Sequence, residues 1–161
     1  MKSIQSPSVK VNAVIDPATV NSNNEMETPP HGKELTDVVW YDSTLKADAP
    51  FLGTKPGWDG NAVFAAHVYY GGILAPFGEI APLYGRPGLQ VGDEIDVTMS
   101  YGTVYKYKML KHEQFNRDTI PMGDVISPPD RPEGKQWITL ITCGGALDAS
   151  GQEYVSRDVV I

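Results

Sequence analysis

The chain has 161 residues and a mass of 17.5 kDa, enough for one domain whose core buries roughly 70% of the unfolded surface. Its 13 Lys and Arg stand against 20 Asp and Glu, a formal net charge of −7, which disfavours nucleic acid and anionic lipid as general partners. A hydrophobic fraction of 41% excludes a disordered acidic tail, no run of about 18 apolar residues offers a membrane span, and a single Cys excludes an internal disulfide and any multi-cysteine metal site.

Taken in chain order, Met1 to Ser8 is polar, carries no signal-peptide pattern and is given no element. Val9 to Ile15 reads as the first strand, and the Asn-rich stretch Asn21 to Glu25 as a surface loop. Val38 to Tyr41 and Asn61 to Val68 follow as strands. Within the latter, Ala62-Val63-Phe64-Ala65-Ala66 is apolar throughout, as expected of a strand covered on both faces. The one helical candidate, Phe77 to Leu83, is limited by Pro82. Glu94 to Met99 and Thr103 to Leu110 form a predicted hairpin about Gly102. Ser127 to Pro132 is a Pro-rich loop, Trp137 to Thr142 a second doubly covered strand, and Tyr154 to Ile161 the last. With Gly (16) and Pro (13) spread between them, these seven or eight short strands predict an all-β barrel or sandwich occupying residues 1–161 as a single unit.

The sole thiol, Cys143, stands where the apolar strand Trp137-Ile138-Thr139-Leu140-Ile141 runs into Gly144-Gly145. Strand ends present side chains at a rim, and two glycines are read as room for a substrate backbone. Of the three histidines, His31 in Pro29-Pro30-His31-Gly32 and His112 after Lys111 read as surface residues. His67 ends the apolar run Ala62 to Ala66 and emerges at the rim of a central strand, where it can serve as acid or base for Cys143. Arg157 alternates with Val155 and Val159, so a two-residue period turns its guanidinium to an apolar side that needs an anionic task to justify it. An ion pair with Asp158 is the alternative. Asp93, Glu94 and Asp96 alternate along a strand without a calcium-loop spacing, and read as a solvated edge rather than a metal site.

In order and spacing, Pro56-Gly57-Trp58-Asp59-Gly60-Asn61-Ala62-Val63, His67-Val68, Leu89-Gln90-Val91-Gly92-Asp93-Glu94-Ile95, Thr139-Leu140-Ile141-Thr142-Cys143-Gly144-Gly145 and Tyr154 to Arg157 resemble the sortase family over nearly the whole chain. The Thr-Leu-Ile-Thr-Cys strand with Arg fourteen residues later is the specific part. Cys143 followed by two glycines looks most like the class E and class F sortases of Gram-positive actinobacteria. The resemblance implies an eight-stranded β-barrel with short helices in its loops. It implies a cysteine transpeptidase held at the extracellular face of the cytoplasmic membrane by an N-terminal anchor that this chain lacks, and needing no cofactor. Such an enzyme cuts a Leu-Pro-X-Thr-Gly-like sorting signal between Thr and Gly and passes the acyl group to a peptidoglycan or pilin amine. By position, Cys143 is then the nucleophile, His67 the acid/base and Arg157 the oxyanion or substrate-orienting cation. The chain departs from many relatives in carrying Ala66, not Gly, before the histidine.

Ala65, Tyr69, Tyr70 and Thr142, flanking His67 and Cys143, are the expected contacts for an extended apolar peptide. At ordinary pKa values of about 8.5 and 6.5, an uncoupled pair at pH 7.4 is thiolate and imidazolium together only about 1% of the time. A slow enzyme with a bell-shaped pH profile is expected. Two other readings compete: a secreted β-barrel binding module with an inert, buried Cys143, and a cysteine peptidase that only hydrolyses.

Overall fold

The computed structural model describes residues 1–23, 25–27, 36–45, 53–70 and 72–161, with the backbone alone at Tyr70. His31 and Asn24 lie outside the described residues. In chain order the strands are β1 (Ser3–Ser6), β2 (Val11–Ala18), β3 (Val38–Tyr41), β4 (Gly60–Ala65), β5 (Tyr69–Tyr70), β6 (Ile73–Leu74), β7 (Glu94–Thr98), β8 (Val104–Lys108), β9 (His112–Asn116), β10 (Gln136–Leu147) and β11 (Tyr154–Val160). A 3-10 turn covers Pro76–Glu79, and one short helix, α1, covers Met122–Ile126.

Nine strands form one sheet in the order β8-β7-β1-β2-β3-β4-β10-β11-β9. The hydrogen-bonded order is open, but its two edge strands are consecutive in the chain. Only residues 109–111 separate β8 from β9, and there Leu110 N and Lys111 N both donate to Ile161 O (2.6 and 3.1 Å). Counted as one bent strand running from edge to edge, 104–116 brings the count to eight strands, the number expected.

The central strands are apolar on both faces because each face has its own core. Ala62 and Phe64 of β4, Ile138 and Leu140 of β10 and Val160 of β11 enter the larger cluster with Ile4, Phe77 and Val97, which fills the inside of the curved sheet. The alternate positions Val63, Ala65, Ile141 and Val159 enter a second cluster on the outer face, closed by Val125 and Ile126 of α1. The buried Asn61 ties that helix down: its Nδ2 donates to Ile126 O at 2.9 Å and its Oδ1 accepts from Thr139 Oγ1 at 3.0 Å. Both ends of the buried Asn61 amide are thus paired rather than left to bear a desolvation cost.

Several elements differ from the sequence expectation. Ser3–Ser6, given no element, is a strand between β2 and β7, held by the completely buried Ile4. His112–Asn116 is an edge strand, the helical candidate at 77–83 shortens to the 3-10 turn, and α1 appears where no helix was expected. The solvated edge expected at Asp93, Glu94 and Asp96 is corrected: β7 lies between β8 and β1, Asp96 is buried, and Lys106 Nζ satisfies the pair, reaching Glu94 at 2.6 Å and Asp96 at 3.1 Å.

Candidate active site

Two registers bring distant residues together. β10 runs parallel to β4 with Ile141 beside Ala65, so two further residues on each chain carry Cys143 and His67 to the same level. β4 stops at Ala65, and the next residues are clamped: Ala66 N donates to Ile141 O (3.3 Å), Thr142 Oγ1 donates to Ala66 O (2.9 Å), and Phe77 N donates to His67 O (3.2 Å). On the other side β10 is antiparallel to β11 with Cys143 directly opposite Arg157. Directly opposed residues share a face of the sheet, so the thiol and the guanidinium emerge on one side.

That side is the outer one. Cys143 continues the series of Ile141, His67 that of Ala65, and Arg157 that of Val159, all members of the second core. The three line a cavity of about 260 Å³ whose apolar walls come from Met26, Tyr41, Ala65, Ile120, Met122 and Ile141. Cys143 and His67 are half-buried, placed against a hydrophobic trough yet open to a ligand.

A second guanidinium, Arg117, lines the same cavity and was missed in the sequence, where it stands in a polar stretch without periodicity. The two arginines are electrostatically different. Arg117 bonds Glu153 closely and lies 3.3 Å from Asp118 and 3.9 Å from Asp148. Among the described residues Arg157 forms no ion pair; its Nη1 donates only to Ser156 O (3.0 Å) and Tyr154 O (3.3 Å). The positive charge opposite the sulfur is therefore uncompensated.

Asp158, the alternative partner for Arg157, points to the opposite face and is completely buried. Its Oδ1 receives Gln114 Nε2 at 3.0 Å and lies 2.7 Å from His112 Nε2. His112, read as a surface residue, is thus engaged by a buried carboxylate. This arrangement also corrects the reading of the double glycine. A Cβ on Gly144 would meet Asp158 Oδ2 at 1.5 Å, and Gly145 sits at φ +73° with Ser156 Oγ 2.8 Å from where its Cβ would be. Both glycines answer to internal packing of β10 on β11, not to room for a substrate.

The remaining predicted contacts separate. Ala65 and Thr142 line the cavity, though the Thr142 hydroxyl is committed to Ala66 O. Tyr69 is 43% exposed and stands outside the cavity wall, while Tyr70 pairs with Ile73 in the small β5–β6 hairpin.

Burial pushes the Cys143 thiol above its ordinary pKa; Arg157 pulls it back, while the carboxylates of Asp158 and Glu153 push it further up. Because alkylation proceeds through the thiolate, the rate of modification of Cys143 by iodoacetamide in a pH series is expected to reach half-maximum above the ordinary cysteine value of about 8.5. A midpoint below pH 8 would show that pairing with His67 outweighs burial.

Fold and cavity together define an all-β protein with a cysteine-bearing groove on the outer face of its curved sheet. The family model of the sortase domain matches residues 4–161, and the chain belongs to the sortase family of cysteine transpeptidases. Among solved structures, sortase A of Listeria monocytogenes is 22% identical, the match covering 98% of this chain and 81% of that one with a TM-score of 0.61. SrtA from Actinomyces oris is 23% identical, with 99% and 76% coverage and a TM-score of 0.63. Sortase E1 from Streptomyces coelicolor, solved with a tripeptide in the active site, is 21% identical, with 98% and 83% coverage and a TM-score of 0.60. These likenesses establish the fold and span several sortase classes. A search of curated proteins returns no match.

Proposed function

We infer that this sortase cleaves a Leu-Pro-X-Thr-Gly-like sorting signal between Thr and Gly and transfers the acyl group to a cell-wall or pilin amine, acting at the extracellular face of the cytoplasmic membrane. The observation that supports this reading is the convergence on one apolar cavity of Cys143, His67 and an Arg157 that forms no ion pair among the described residues. The apolar walls suit the Leu and Pro-type side chains of the signal. Cys143 attacks the threonyl carbonyl as the thiolate. Arg157, charged at every working pH, holds the carbonyl oxygen as negative charge develops on it. His67 as imidazolium protonates the departing glycyl amine, and the thioacyl enzyme remains. No helix of the described residues is long and apolar enough to cross a membrane.

Class E or class F membership is part of the same proposal, resting on the Cys-Gly-Gly sequence. A peptide-cleavage assay comparing Pro with Ala at the second motif position tests both levels. Cleavage between Thr and Gly, abolished by Cys143→Ala, is the expected result, and the preferred second residue helps assign the class. A binding module with an inert thiol would leave both peptides intact and protect Cys143 from a methanethiosulfonate until denaturation. A plain peptidase would yield only free acid under saturating amine.

A further inference from the structure

The segment between β6 and β7 contains a two-residue turn in which Leu83 and Arg86 exchange both backbone hydrogen bonds, at 3.2 and 3.0 Å. Its central residues are Tyr84 at φ +50° and Gly85 at φ +76°. Such turns favour Asn, Asp or Gly at both places. Tyr84 is the sole non-glycine residue at positive φ among the described residues, and it is 60% exposed. A bulky side chain held in the left-handed region at a solvent-facing turn costs free energy that neither burial nor turn geometry requires. The position is explained by what its ring does.

The Tyr84 hydroxyl lies 2.7 Å from that of Tyr154, and its ring meets Tyr69 edge to face with centroids 6.2 Å apart. Both partners are tied to the site. Tyr69 follows His67 by two residues, and the carbonyl of Tyr154 accepts the bond from Arg157. Burial and the bond to Tyr84 raise the Tyr154 pKa above the ordinary phenol value, and the charge of a Cys143 thiolate adds to the rise. None of the three rings lines the apolar cavity. An open aromatic face therefore adjoins the reacting groups outside the trough that would take the acyl half of a substrate.

We propose that Tyr69, Tyr84 and Tyr154 form the subsite that receives the accepting primary amine. This rests on the transpeptidase reading. If the trough holds the acyl chain, the leaving amine departs, and the incoming one arrives, across this aromatic face. Ring faces attract an ammonium group, phenol oxygens accept its N–H bonds, and the net charge of −7 favours its approach. The ammonium gives one proton to solvent and the neutral nitrogen attacks the thioester carbonyl. A second proton passes to neutral His67, the C–S bond breaks as the amide forms, and His67 returns that proton to the departing thiolate, restoring the thiol.

The test uses a fluorogenic Leu-Pro-Glu-Thr-Gly or Leu-Ala-Glu-Thr-Gly peptide, whichever is cleaved, with triglycine or Nα-acetyl-lysine amide as acceptor. The quantity read is the ratio of amide product to free acid, which cancels any change in how fast the acyl-enzyme forms. Tyr84→Gly removes the ring and relieves the turn, so its melting temperature is expected to hold while the ratio falls about fivefold, the size of a lost cation–π contact at an exposed site. Tyr84→Phe, which keeps the ring, retains at least half of the wild-type ratio. A fall with both acceptors shows recognition of the amine itself; a fall with one identifies whether a peptide N-terminus or a lysine side chain is the acceptor. A folded Tyr84→Gly enzyme with the wild-type ratio for both acceptors overturns the subsite and leaves the transpeptidase reading intact. Free acid alone from the wild-type enzyme with either acceptor overturns both.

Discussion

Arg157→Ala is expected to lower kcat for sorting-peptide cleavage by roughly 30-fold or more, the rate equivalent of losing at least about 2 kcal/mol of oxyanion stabilisation. The argument is positional. Arg157 faces Cys143 directly across the β10–β11 pair, its guanidinium is anchored by two carbonyls of its own strand, and no carboxylate neutralises it among the described residues. Its charge is thus available to an oxygen that becomes negative only in the transition state. The same substitution removes the guanidinium that pulls the thiol pKa down against burial, so iodoacetamide modification of Cys143 should shift to still higher pH than in the wild type. Arg157→Lys keeps the charge but loses the planar fork, and is expected to recover only part of the rate. Arg117→Ala is the informative control. It empties the same cavity of a cation already balanced by Asp118, Asp148 and Glu153, and its effect on kcat should be smaller. Equal losses from both substitutions would mean that total positive charge in the cavity, rather than the guanidinium opposite the sulfur, assists the reaction.

What could be read in the sequence follows from where hydrophobic periodicity is strong. β4 and β10 stand out because both faces are buried, and the same two-residue period predicts that His67 emerges past the end of β4 and that Arg157 shares a face with Val159; the strand end expected at Cys143 is corrected, since β10 runs on through it to Leu147. β1 is not legible, since Ser3–Ser6 has one apolar residue and owes its conformation to pairing with β2 and β7 on either side. β9 is equally silent: His112 and Gln114 are polar because they serve the buried Asp158, and a buried polar partner leaves the same trace in a sequence as solvent does. Tyr84 runs against turn chemistry, where Asn or Gly is expected, so the aromatic group it joins becomes visible only when Tyr69 and Tyr154 are seen beside it. Arg157 is legible through its alternation with Val155 and Val159, whereas Arg117, in a polar stretch, is not; the carboxylates around Arg117 separate the two charges in the cavity.

The largest effect on stability is expected at Gly144, one residue beyond the nucleophile. Its backbone is not in the left-handed region, so alanine is conformationally permitted there; the obstacle is the Asp158 carboxylate, whose Oδ2 would stand 1.5 Å from the new methyl carbon. To admit it, the carboxylate must leave the positions in which Oδ1 holds His112 and Gln114, stranding a charge in a completely buried place. Disrupting a buried charge in this way costs about 3–5 kcal/mol, and that is the expected destabilisation of Gly144→Ala in urea unfolding. Asp158→Ala removes the obstructing oxygens and leaves His112 and Gln114, both at least partly solvent-facing, to be hydrated, at a cost of about 1–3 kcal/mol. The double variant should then be more stable than Gly144→Ala alone, with a coupling of at least about 2 kcal/mol, because the methyl group occupies the volume the carboxylate gave up. Strictly additive losses would show that β10 and β11 shift apart to absorb the methyl. In that case the pairing of Cys143 with Arg157 would shift too, and Gly144→Ala should lose activity in proportion, even under conditions where it remains fully folded.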